Sequence, residues 1–262
     1  MSLLRAFLVA FFLAVGAGTP SLAQTSAPPT IAAAADLKFA LDAVAARYKA
    51  DTGRDVTLVY GSSGNLTRQI LADAPFDMFL SADEDYVAQL AAAGKTLDAG
   101  VLYAQGFLAV FVPKGSSLKA DASLVDFKAA LADGRLRRLA IANPDHAPYG
   151  RAARAALQSR GLWAAAEPKL VLGDNIAQAA QFAVTGSVDA ALIAYSLTFT
   201  PQVAGAGTFA RLPGEWHAPL LQRMVLMKGA GDASRAFYAY VRSPPARAIL
   251  RDCGFALPGE TG

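Results

Sequence analysis

One cysteine and two histidines among 262 residues leave little material for metal or redox chemistry. Cys253 alone cannot close an intrachain disulfide, and it excludes a cysteine-based zinc site. His146 and His217 leave His-dependent catalysis with two candidate bases and no cluster. Charge is scarce as well: 24 Lys+Arg stand against 21 Asp+Glu, 17% of the chain, for a formal +3. That is no footprint for a polyanion unless it is gathered on one face. The densest basic group, Arg135, Arg137 and Arg138, follows Gly134 and precedes an apolar strand, so it reads as a solvated turn and no nucleic-acid partner is expected. With 54% apolar residues and so few charges, the chain is globular and not disordered.

The longest uninterrupted apolar run is at the start. Arg5 is followed by a wholly apolar stretch from Ala6 to Val15, then Gly16, Gly18, Pro20 and Ser21-Leu22-Ala23. A basic start, a short hydrophobic core and a small-x-small site make residues 1–23 a secretory signal peptide cleaved after Ala23. The run is too short for a membrane anchor, which needs about 20 apolar residues. The mature protein is therefore expected outside the cytoplasm, in a bacterial periplasm, with Cys253 as a buried small apolar residue.

From Thr30 onward, β-prone runs alternate with helical spacing, which points to α/β architecture with mostly parallel sheets. Ile31–Ala34, Val56–Tyr60 and Met78–Ser81 read as strands separated by helices. Asp36 is placed to cap the first helix, whose apolar residues run Leu37, Ala40, Leu41, Val44, Ala45 and Tyr48. The stretch 101–112 is long for one strand and is interrupted by Gly106, as expected of a strand running from one lobe into another. A second α/β set follows, with strands at Leu139–Asn143, Leu170–Leu172 and Val188–Tyr195. A strand at Met224–Met227 returns to the first lobe, where two terminal helices close it. The expected division is lobe I at 28–105 plus 222–262 and lobe II at 106–221, hinged near Gly106 and Pro219–Met224.

In such sheets ligands sit beyond the carboxyl ends of the strands, where helix N-termini present unpaired N–H groups. Four strand-to-helix turns are rich in small or hydroxylic residues: Ala34-Ala35-Asp36, Gly61-Ser62-Ser63-Gly64, Ala147-Pro148-Tyr149-Gly150 and Gly173-Asp174-Asn175-Ile176. Tyr195-Ser196 ends a fifth. Singly each is an ordinary tight turn; together they offer a donor-rich, nearly uncharged lining suited to a small oxyanion. Hydrogen bonds to a charged ligand contribute about 1.5–3 kcal/mol each, so five to seven offset the desolvation of a dianion. Catalytic motifs are missing: there is no phosphate-binding Gly-rich loop, no His-Glu-x-x-His, and Gly61-Ser62-Ser63-Gly64-Asn65 is not a nucleophile elbow. His146 as a base for Ser63 is the one enzymatic alternative, a small serine-dependent hydrolase. Lys38, Arg68 and Arg151, in or near first helical turns, read as solvated faces, with steering of anions toward the cleft as the alternative.

Three stretches, Ala-Ala-Ala-Asp-Leu at 33–37, Pro-Phe-Asp-Met-Phe-Leu-Ser-Ala-Asp at 75–83 and Asn-Pro-Asp-His-Ala-Pro-Tyr-Gly at 143–150, carry a resemblance that runs through nearly the whole mature chain. The sequence resembles the periplasmic molybdate-binding proteins, the ModA-type solute-binding components of ABC importers. The resemblance implies a two-lobed periplasmic binding protein fold of class II and capture of a tetrahedral oxyanion, molybdate or tungstate. It also implies delivery to a membrane permease, with no catalysis, no cofactor and a monomeric chain. Ligand contacts then fall on Asp36, Ser63, Tyr149, Ile176 and Tyr195: Ser63 through hydroxyl and amide, Tyr195 through its phenol, Tyr149 and Ile176 mainly through backbone N–H. Asp36 departs from the family's usual Ser or Asn, since an ionised carboxylate only accepts. Either it caps its helix and turns away, or it takes a proton from a protonated oxyanion, which shifts preference toward a phosphate-type ligand. A phosphate- or sulfate-type binding protein is thus the alternative within the class. A transcription regulator's effector domain shares the lobe architecture but fits poorly with an export signal.

Overall fold

The computed structural model describes residues 27–260, so the signal peptide expected at 1–23 lies outside the described residues. Among the described residues ten strands form two five-stranded sheets. The first has the order β2-β1-β3-β10-β4, from β1 (Thr30–Ala34), β2 (Thr57–Gly61), β3 (Met78–Ser81), β4 (Val101–Gly106) and β10 (Leu220–Leu226). β1 runs parallel to β2 and β3, while β10 is antiparallel to β3 and β4. Ile31 to Ala34 and Met78 to Ser81 are buried throughout, as central strands covered on both faces must be.

α1 (Lys38–Thr52), α9 (Asp232–Val241) and α10 (Pro244–Asp252) cover one face of this sheet, burying Leu41, Tyr48, Phe237 and Leu250. α2 (Ser63–Leu71) and α3 (Glu84–Ala92) cover the other, where Leu66, Ile70, Val87 and Leu90 pack on Phe79. Each such side chain contributes roughly 1.5–3 kcal/mol by leaving water. Cys253 is buried at the end of α10.

The second sheet has the order β7-β6-β8-β5-β9, from β5 (Leu108–Pro113), β6 (Leu139–Ala142), β7 (Leu170–Gly173), β8 (Ala190–Ala194) and β9 (Gly207–Arg211). Its helices are α4 (Val125–Asp133), α5 (Pro148–Ser159), α6 (Trp163–Ala166), α7 (Ile176–Val184) and α8 (Pro201–Ala204). The core gathers Phe111, Phe127, Ile141 and Leu157.

The apolar stretch 101–112 is two strands, not one. β4 ends at Gly106 in the first sheet, β5 starts at Leu108 in the second, and Phe107 lies between them. The return crossing lies beside it, since Leu220 at the start of β10 pairs with Gly106. The two sheets are therefore joined by adjacent chain segments at one place, the geometry of a hinge. β9 was not legible in the sequence because it is an edge strand with mostly exposed side chains and no apolar alternation; it is held by pairing with β5.

Candidate functional site

Three helices start just past the carboxyl ends of parallel strands. α2 follows β2, α5 follows β6 and α7 follows β7. Their first residues, Ser63, Pro148 with Tyr149, and Ile176, meet Ala34, Ala35, Asp36, Gly61, Ser62, Ala82 and Ala147 around a buried cavity of ≈ 10 Å³. One water needs roughly 10–15 Å³ on this scale, so the two lobes stand closed on it. The first N–H groups of a helix have no partner within it and carry its positive end, so three such ends from two lobes converge on this point. No cationic side chain lines the cavity.

Ser63 is fully buried, and its Oγ accepts the N–H of Ala82 at 3.0 Å. A hydroxyl that already accepts still has its proton to give, so Ser63 keeps a donor at the cavity it lines. Ile176 opens α7 behind Asn175, whose side chain accepts from Gln178 N and caps that helix.

Asp36 does not cap α1. It sits inside a 3-10 turn, Ala35–Leu37, and Leu37 occupies the position before α1 without any side-chain cap. Its carboxylate instead enters a buried polar network that joins both lobes. Oδ2 accepts from Gln222 Nε2 at 2.5 Å and from the Tyr149 hydroxyl at 3.1 Å, and Gln222 Oε1 accepts from the Tyr103 hydroxyl at 2.7 Å. Oδ1 is buried with no hydrogen-bond partner. Burial pushes this carboxyl up from 3.8 to about 6, against the bonds from Gln222 and Tyr149, which favour the charge. The nearby amides of Asp36 and Leu37 weigh the same way as those bonds, though neither meets Oδ1 in a proper hydrogen bond. The Tyr103 and Tyr149 phenols are pushed well above their ordinary value, first by burial and then by Asp36.

Gln222 and Tyr103 escaped the sequence reading. The available signal was a glutamine in the apolar run of β10, a group that cannot be buried without partners. Gly106 makes room for the network: a Cβ there stands 2.1 Å from Tyr149 Oη and 2.8 Å from Gln222 Nε2.

The two tyrosines are placed differently. Tyr149 is buried and its phenol reaches Asp36, so its side chain matters as well as its amide. Tyr195 lies outside the cavity lining, because the 3-10 turn Tyr195–Phe199 sets its ring edge-on against Phe199 and Phe209. Its neighbour Ser196 is the residue that faces inward, donating to the Asp36 carbonyl at 2.8 Å.

A second set of contacts crosses the mouth of the cleft. Gly64 N donates to His146 O at 2.9 Å, Asn65 Nδ2 donates to Asp174 Oδ1 at 2.8 Å, and Ser62 Oγ meets His146 Nδ1 at 2.9 Å. Arg151 pairs with Asp83 and donates to the Tyr86 hydroxyl, which donates on to His146 O. Arg151 is thus a bridge between lobes and not a free helix face. Lys38 pairs with Asp42, and Arg68, in the last turn of α2 instead of its first, is bound to Asn65. The hydrolase alternative loses its geometry: His146 meets Ser62 and not Ser63, and Asp174 lies 3.9 Å from Nε2, beyond a hydrogen bond that orients a base. Among the described residues no cluster of three or more His, Cys, Asp or Glu is placed to hold a metal ion. A larger groove of ≈ 520 Å³ between α1, α7 and α8 is mainly apolar.

The model of the bacterial extracellular solute-binding protein family matches residues 29–256. The molybdate-binding protein ModA of Rhodobacter capsulatus is 35% identical over 258 residues, 96% of each chain. That of Azotobacter vinelandii is 32% identical over 248 residues, 94% of this chain and 96% of its own. The solved periplasmic molybdate-binding protein of Azotobacter vinelandii superposes with a TM-score of 0.79 at 27% identity, covering 88% of this chain and 99% of its own.

Proposed function

We propose that this chain, which belongs to the bacterial extracellular solute-binding protein family, captures a tetrahedral oxyanion and hands it to the membrane permease of an ABC importer. The anion is molybdate, with tungstate accepted alongside it because the two match in charge and nearly in size. The observation that carries this reading is the convergence of three helix N-termini and the Ser63 hydroxyl on one buried cavity without a cationic side chain. Neutral donors compensate a dianion without forming a permanent salt bridge, so release remains possible when the lobes part. The relatives named for molybdate point to the same ligand.

Ser63 donates its hydroxyl, and the first amides of α2, α5 and α7 complete the shell through Ser63, Tyr149 and Ile176. A cavity this small admits its ligand only when the lobes swing apart, and the adjacent crossings at Phe107 and Leu220 are where they pivot. Closure is then a population shift, driven by how much more tightly the closed form holds the anion. The protein works as a monomer in the periplasm after loss of residues 1–23. Calorimetric titration with molybdate, tungstate, sulfate, phosphate and chromate tests the reading. One molybdate or tungstate per chain, with sulfate and phosphate rejected, is expected; tight phosphate or sulfate binding with no molybdate heat refutes it.

A further inference from the structure

We infer that Asp36 meets the bound anion as a neutral carboxylic acid, its proton on Oδ1, so that each molybdate is captured together with one proton. The inference rests on the oxyanion reading above and deepens it.

The hydrogen bonds around the carboxyl settle which oxygen is free. Oδ2 is occupied by two donors, Gln222 Nε2 and the Tyr149 hydroxyl, and Gln222 is held in that orientation because its Oε1 takes the Tyr103 proton. Oδ1 has no partner, and Asp36 is 1% exposed in the wall of the cavity. An unpartnered carboxylate oxygen beside a dianion is repelled by it, whereas the same oxygen carrying a proton is one more donor in a shell made of donors. No cationic side chain lines the cavity to neutralise the charge instead. The titratable groups facing Asp36 are Tyr149 from α5 and Tyr103 from β4, both phenols kept protonated by burial and by Asp36 itself. Tyr195 turns its ring away, Lys38 is engaged with Asp42, and His146 approaches only as far as Ser62.

The proton balance is simple. Even buried between the closed lobes the carboxyl is raised only to about 6, so the ligand-free protein holds a carboxylate at neutral pH; on capture a proton from solvent adds to Oδ1, and the O–H bond formed points at a ligand oxygen. Molybdate brings no proton at neutral pH, so the protein must take one up. Hydrogenphosphate brings its own and needs no uptake.

The test is calorimetry with molybdate from pH 5.5 to 8.5, in buffers of differing ionisation enthalpy, on the full mature chain. Uptake approaching one proton per molybdate at pH 8 is expected, with affinity falling up to tenfold per pH unit above about 6. Asp36→Asn, whose amide donates at any pH, flattens this dependence and binds tighter than the parent at pH 8. His146→Asn keeps the slope, which assigns it to Asp36. Molybdate bound with no proton uptake and a flat profile in the parent overturns this inference and leaves the oxyanion reading standing. No molybdate binding at any pH overturns both. The proton count on the parent decides the matter even if Asp36→Asn fails to fold.

Discussion

Gly106→Ala places one methyl group where the two lobes, the hinge and the site meet. Its Cβ falls 2.1 Å from Tyr149 Oη and 2.8 Å from Gln222 Nε2, far inside van der Waals contact. Tyr149 is fully buried and cannot swing into solvent, so either its ring retreats from Asp36 or the lobes part. Retreat loses a hydrogen bond to a charged acceptor, about 1.5–3 kcal/mol, and overpacking adds roughly 1–3 kcal/mol. Parting the lobes lengthens the bonds of Gly64 to His146 and of Asn65 to Asp174, and the cost appears in binding. Together the loss is about 2.5–6 kcal/mol, divided between urea unfolding and calorimetric affinity, with molybdate bound at least tenfold more weakly. Tyr149→Phe in the same chain removes the atom at 2.1 Å and leaves Cζ at 3.1 Å, which a small shift relieves. The double variant should recover about half the loss, a coupling of about 1 kcal/mol or more. The reasoning fails if Gly106→Ala matches the parent within about 0.5 kcal/mol in both assays, or if the two substitutions simply add.

Ser63→Ala removes the hydroxyl donor and leaves Ala82 N–H unpaired; a loss of about 1–3 kcal/mol, or 10- to 100-fold in affinity by calorimetry, is expected. Gly64→Ala drives a Cβ to 2.6 Å from the His146 carbonyl, a backbone atom that cannot step aside. Small-angle scattering should then find the molybdate-saturated variant still expanded, with the stability of the ligand-free chain unaltered. Asp36→Asn acts on folding as well. Because the folded carboxyl is raised from 3.8 to about 6, burying its charge costs nothing below about pH 4, a growing amount up to pH 6, and about 3 kcal/mol at pH 7. Urea unfolding of the ligand-free variant should thus show a gain approaching that figure at pH 7 and none below pH 4.

The turns at 61–64, 147–150 and 173–176 were legible because Gly, Ser, Pro and Asn have few uses other than tight turns and helix starts, and α/β topology puts such turns at one edge. The role of Asp36 was not. A carboxylate ahead of a helix looks like a cap, and what turns it inward is Gln222, 186 residues away, oriented by Tyr103. The directions of the Tyr149 and Tyr195 rings were equally closed to one-dimensional reading. Both end a strand-to-helix turn, and only the 3-10 winding at 195–199 directs one ring toward Phe199 and Phe209. The long run at 101–112 hid a change of sheet because both halves are apolar, and Gly106, read as an interruption, is the space left for the Tyr149 phenol.

Diffraction from crystals grown with molybdate, recorded at the molybdenum absorption edge, tests the central claim most directly. The account predicts a single strong anomalous peak per chain in the cavity bounded by Ser63, Tyr149 and Ile176, within hydrogen-bond reach of the Ser63 hydroxyl and the first amides of α2, α5 and α7. A crystal with no peak there, or with its peak in the groove between α1 and α7, contradicts it.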